Sequence, residues 1–100
     1  MTIQNDTKQI YLNAEMASRL AGIDIGSNSV RLLVAEVFRG SSYRILDEER
    51  EPTRLARSIS SDGRLDEDAV ERTLVALETF KQIAAGYQVS ALRTIATCAV

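Results

Sequence analysis

The sequence predicts an α/β domain, and three observations carry that prediction. Three short runs rich in Val, Ile and Leu follow one another between residues 20 and 49, separated by small polar turns. A longer run with helical spacing comes next, at residues 66–85. A further apolar run, residues 89–96, closes the pattern. Strands joined by tight turns, then a helix leading to another strand, are the mark of a sheet with a helical crossover. A length of 100 residues suits one small domain.

Taken in order, residues 1–19 are polar and weakly patterned, and they read as a poorly ordered leader to a domain of residues 20–100. Ile10, Tyr11, Leu12 and Met16 offer a short amphipathic helix as the alternative. Met16, just ahead of the first apolar run, is a candidate natural start. Residues 20–25, 30–38 and 42–49 are the three strands, and their composition makes the first two central and covered on both faces. The turns between them, Gly26-Ser27-Asn28 and Arg39-Gly40-Ser41, contain the residue types that tolerate positive φ, so the strands should pair antiparallel. Residues 51–64 hold the only Pro together with several Ser, and read as an irregular connection.

The helix is the clearest element. Asp66 is a good N-cap, Leu65 and Val70 are spaced as a hydrophobic staple, and Glu67 and Asp68 suit the positive end of the helix dipole. Val70, Leu74, Leu77, Phe80 and Ala84 form the expected apolar stripe, widened by Ile83. Glu71, Arg72, Glu78 and Lys81 fall on the wet side, and Gly86 is placed to end the helix as C′. After residues 89–96, Thr97-Cys98-Ala99-Val100 reads as a turn into a second helix.

Composition narrows the chemistry. A net charge of −2 gives no long-range reason to bind nucleic acid or an anionic membrane, so a polyphosphate ligand needs a local site. Cys98 is the only cysteine, which rules out an internal disulfide and points to a reducing cytoplasm. With no histidine, zinc binding is disfavoured and a histidine-activated nucleophile is excluded. No apolar run approaches the roughly 20 residues needed to span a bilayer.

One stretch carries chemistry. Residues 21–34 read AGIDIGSNSVRLLV: an apolar strand, one Asp, a small polar turn and a second apolar strand. Gly26, Ser27, Asn28 and Ser29 offer backbone N–H groups and hydroxyls to a phosphate. Asp24 interrupts an apolar run, where a carboxylate is costly to bury unpaired, and it is a candidate to hold a divalent cation or orient a water. An ordinary hairpin turn facing water has the same spacing. Arg31 breaks the second apolar run, either snorkelling to solvent or reaching a phosphate oxygen. Thr97 and Cys98, between a strand and a helix start, are a second anion site or a plain connection. Arg54, Arg57 and Arg64 are solvated loop charges or the lining of a polyanion path.

IDIGSNSVRLLV, SSDGRLDEDAVERTLVALETF and RTIATCAV, in that order, resemble the amino-terminal part of the Ppx/GppA phosphatases, exopolyphosphatases and guanosine pentaphosphate phosphohydrolases. The resemblance covers residues 20–100. It implies a partial ribonuclease-H-like domain of the actin-like ATPase superfamily: three antiparallel strands, a helix, a strand and the start of a second helix. It implies Mg²⁺-aided hydrolysis of a terminal phosphoanhydride bond by an activated water, and homodimers among full-length members. Asp24 then sits at the metal and water side of a cleft, Gly26, Ser27, Asn28 and Ser29 form the first phosphate loop, and Thr97, Cys98 and Ala99 begin a second turn. Cys98 stands where the family usually has Ser or Thr.

The same resemblance implies that the catalytic glutamate, a second glycine-rich loop and a second domain lie beyond Val100. Glu48, Glu49 and Glu51 do not match the catalytic position. The chain therefore reads as a fragment that is inactive by itself. One sheet face should lose its cover, exposing Ile23, Ile25, Leu33 and similar residues, each forfeiting about 1.5–3 kcal/mol. Several such losses rival a typical total stability of about 5–15 kcal/mol, so a marginal, aggregation-prone polypeptide is expected. The rival readings are a non-enzymatic module that binds phosphate or a partner, and a sugar- or acetate-kinase type of phosphotransferase.

Overall fold

The computed structural model describes residues 17–40, 42–55, 63 and 66–97. Its elements are β1 (Ser18–Ile25), β2 (Ser29–Val37), β3 (Tyr43–Pro52), the helix α1 (Glu67–Gly86) and β4 (Ala91–Ala96). They form one four-stranded sheet in the order β3-β2-β1-β4. β1, β2 and β3 pair antiparallel as expected; Gly40 takes the positive φ expected of its turn (99°), whereas Gly26, Ser27 and Asn28 do not take positive φ. β4 lies parallel to β1, which requires a crossover, and α1 lies on that crossover. The expected α/β arrangement of three antiparallel strands, helix and strand is therefore present. β1 begins two residues ahead of the expected strand. The expected second helix, the staple residue Leu65, Arg57 and Arg64 lie outside the described residues, as does the expected leader up to residue 16.

Side chains alternate across the sheet, and α1 covers one face. Ala21 and Ile23 of β1 and Val30, Leu32 and Val34 of β2 point under the helix, where they are buried. The opposite face has no cover among the described residues, and Leu20, Leu33, Ile45 and Ile95 are exposed on it. This corrects two expectations. The central strands are covered on one face here, not two. Of the three residues named as losing cover, Ile23, at 2% exposure, belongs to the core, Ile25 is partly buried against it, and Leu33, at 41%, lies on the open face. The period of two along a strand separates residues that a simple apolar count groups together.

The helix stripe is also rotated from the expected one. Its buried residues are Ala69, Thr73, Ala76, Phe80 and Ala84. Leu77 and Ile83 flank them, while Leu74 is 58% exposed. The fully buried helix positions are small apart from Phe80, and Leu77 and Ile83 pack against the core at its edges. Thr73 satisfies its buried hydroxyl by donating to the Ala69 carbonyl at 2.8 Å. The Asp66 cap forms as predicted, accepting from the Asp68 N–H at 3.2 Å. Glu71, Arg72, Glu78 and Lys81 are exposed as expected. Gly86, however, is the last helical residue. Tyr87 caps the end, and Gln88 takes the left-handed conformation (φ 57°) expected of Gly86.

Between Val34 and Ala35 the β2–β3 register shifts: Ala35 pairs with Ile45 but Val34 with Asp47. Leu46 is the extra residue of this bulge, and it packs against the core. Every later β3 residue is thereby displaced by one position relative to β2. Among the described residues, no helix is long and apolar enough to cross a membrane.

Candidate functional site

The site lies where β1 and β4 end side by side. Their parallel pairing runs to Ile25 opposite Ala96. The Thr97 N–H then donates to the Ile25 carbonyl at 2.9 Å, which extends the ladder by one bond. This brings the Thr97 hydroxyl to Asp24, and Oγ1 donates to Oδ1 at 2.8 Å. A hydrogen bond to a carboxylate is short and directional, so it fixes the carboxylate at the mouth of the turn. The sequence offers Thr97 as part of a second anion site or of a plain connection; in the structure its hydroxyl also orients Asp24.

The turn between β1 and β2 is closed by the Gly26 N–H donating to the Ser29 carbonyl at 2.9 Å. A Cβ at position 26 would stand 3.3 Å from that carbonyl oxygen, closer than most real Cβ contacts, so glycine suits the position. Ser29 is buried, whereas Ser27 and Asn28 are exposed. The Asn28 carbonyl accepts from the N–H groups of Thr53 (2.9 Å) and Arg54 (3.0 Å). The segment after β3 therefore buttresses the turn, with Arg54 in the left-handed region at φ 54°.

A polar cleft of about 340 Å³ opens here. It is lined by Asp24, Gly26, Ser27, Asn28, Ser29, Arg31 and Thr97, all of them flagged in the sequence. Cys98 lies outside the described residues. Arg50 also lines the cleft, and sequence reasoning missed it. Arg50 pairs with Arg31 across β2–β3, and Arg31 pairs with Asp24 across β1–β2. One acid and two bases thus form a row on the open face, giving the site a local charge of +1 in a chain of net −2.

The donors present suit an anion, and they suit magnesium in one specific way. Among the described residues, no cluster of three or more acidic, His or Cys side chains exists. Among the described residues, Asp24 is the single carboxylate lining the cleft. Magnesium keeps several waters and commonly takes one or two carboxylates plus substrate phosphates. One oriented carboxylate beside a small polar turn fits that mode and not an all-protein cage.

Residues 33–100 match the sequence model of the Ppx/GppA phosphatase family. The chain belongs to that family. It is 33% identical over 85 residues to exopolyphosphatase 2 of Mycobacterium tuberculosis, covering 82% of this chain and 27% of that protein. It is 30% identical to the guanosine-5'-triphosphate,3'-diphosphate pyrophosphatase of Pseudoalteromonas atlantica, covering 94% of this chain and 17% of that one. The crystal structure of the Aquifex aeolicus Ppx/GppA family member superposes with a TM-score of 0.74 at 34% identity, over 80% of this chain and 26% of the other. This Ppx/GppA chain thus spans about a quarter or less of the relatives it matches. Family membership sets aside the sugar- and acetate-kinase alternative.

Proposed function

We propose that the chain supplies the first phosphate loop for hydrolysis of a terminal phosphoanhydride bond in inorganic polyphosphate or guanosine pentaphosphate. One observation carries the reading: Thr97 holds the Asp24 carboxylate at the mouth of a glycine-closed turn, inside a polar cleft with two guanidinium groups. Backbone N–H groups and hydroxyls of the turn bind the terminal phosphate. Arg31 neutralises its charge from the adjacent strand. Asp24 would hold Mg²⁺, which when bound offsets the charge that builds on the phosphoryl oxygens. Thr97 engages one oxygen of Asp24, which leaves the other to hold or orient a water. No second carboxylate lines the cleft among the described residues, so these residues bind but do not complete the reaction. The reading includes a cytoplasmic setting, supported by the single cysteine, and dimeric assembly of longer members.

The test is binding of polyphosphate to the purified 100-residue chain with and without Mg²⁺. Binding should strengthen with Mg²⁺, and Asp24→Asn should abolish that dependence while strengthening metal-free binding. Orthophosphate release should stay at the level of a protein-free blank. Release above the blank would refute the inactivity, and binding indifferent to both Mg²⁺ and Asp24→Asn would refute the site.

A further inference from the structure

We infer that Arg50 and Arg31 together form a second anion subsite beside the turn, which takes the next phosphoryl group of a condensed phosphate. This rests on the phosphate reading of the turn and extends it along the ligand. The two arginines stand directly opposite each other on antiparallel strands. Like charges so placed destabilise a sheet, and an anion between them removes the repulsion.

The bulge at Leu46 creates this pair. At the Ala35–Ile45 end of the ladder, paired residue numbers sum to 80, and continuing that register would set Arg31 against Glu49. Beyond the bulge the sum is 81, and Arg31 meets Arg50. One extra residue thus replaces an attractive pair by a repulsive one, at the level of the cleft. No ion pair relieves it: among the described residues, neither Arg31 nor Arg50 has a carboxylate partner. By contrast, Arg19 and Arg44 share Glu36 at 3.2 and 2.8 Å toward the other end of the same strands. The carboxylate in the row, Asp24, lies on the far side of Arg31 from Arg50 and is engaged by Thr97.

Spacing identifies the ligand class. Arg31 lies two residues beyond Ser29 on β2, about 7 Å along the strand, and Arg50 is one strand further across, about 4.8 Å. A lone phosphate in the turn is served by the turn and Arg31. Occupying Arg50 as well calls for an anion with phosphoryl groups in series. Inorganic polyphosphate and a nucleoside polyphosphate share that chemistry.

The experiment is thermophoresis of the labelled 100-residue chain at low protein concentration, with orthophosphate, tripolyphosphate and guanosine triphosphate as probes. Helical circular dichroism confirms that each variant is folded. Arg50→Gln should weaken tripolyphosphate about three- to tenfold while leaving orthophosphate within about twofold. Arg44→Gln, which removes the same charge at the other end of β3, should leave both unchanged, and Arg50→Lys should recover part of the loss. An equal effect on guanosine triphosphate supports a subsite for either source, and an effect confined to tripolyphosphate supports the inorganic chain. Orthophosphate binding with no difference between Arg50→Gln and Arg44→Gln toward tripolyphosphate overturns the subsite and leaves the turn standing. No binding of any probe by the unmodified chain overturns both.

Discussion

Leu32→Ala and Leu33→Ala remove the same atoms from adjacent residues of β2, yet they should have very different consequences. Leu32 is fully buried under α1, beside Ile23, Val30 and Val34. Truncating it forfeits the transfer free energy and leaves a cavity, together about 2–5 kcal/mol. Leu33 points to the open face and is 41% exposed, so about three-fifths of its surface is at stake. Scaling a full burial of about 1.5–3 kcal/mol by that fraction gives about 1–2 kcal/mol. The cost falls below that range because an open face leaves no cavity and the unfolded chain is itself partly collapsed. The assay is a urea titration followed by helical circular dichroism, which suits a chain without tryptophan. With a slope of about 1 kcal/mol per M, the midpoint should fall by about 2 M or more for Leu32→Ala and by less than about 1 M for Leu33→Ala. Leu74→Ala, at an exposed helix position, should resemble Leu33→Ala. Equal losses at positions 32 and 33, or a larger loss at 33, would refute the assignment of faces.

Two further outcomes are expected. The Tyr87 hydroxyl donates to Asp47 Oδ2 at 3.1 Å, and that bond, with a smaller contribution from burial, raises its pKa above the ordinary value of 10. The folded state therefore holds this proton more tightly, so the stabilisation is complete below pH 10 and is lost as pH rises through the folded-state pKa. Tyrosinate absorbance should contain a late component that Tyr87→Phe deletes; identical midpoints in both proteins would contradict it. On the open face, Leu33 and Ile95 expose apolar surface, so the isolated chain should associate with rising concentration, and Leu33→Lys with Ile95→Lys should shift light scattering toward the monomer. A monomeric unmodified chain at high concentration would sink that expectation.

Much of this was legible in the residues, because local chemistry fixes local structure. Gly26 and Gly40 mark the turns, Asp66 marks the helix start, and Asp24 announces itself as a charge in an apolar strand. The misses share a cause: each needs a partner that sequence order does not reveal. Leu74 fits an apolar helical stripe, but the small residues Ala69, Thr73 and Ala76 pack against the sheet instead. Arg50 sits in a charged run, DEER, with no local mark, and only the bulge at Leu46 sets it opposite Arg31. Thr97 was visible as an anion-site candidate, but its bond to Asp24 depends on β4 docking parallel to β1.

That last bond has a consequence for the order of events in folding. Asp24 and Thr97 are 73 residues apart, and they meet only after the hairpins have formed and the crossover helix has returned the chain to β1. Contacts of such long sequence separation form late, since loop-closure entropy must be overcome before they contribute. The cleft thus depends on the same long-range docking as the β1–β4 ladder, and a nascent chain carries the turn well before it carries the hydroxyl that sets the carboxylate. A phosphate ligand that recognises the finished cleft binds the folded state alone. By mass action such a ligand would draw the population toward the folded state, and thereby stabilise the sheet that carries the cleft.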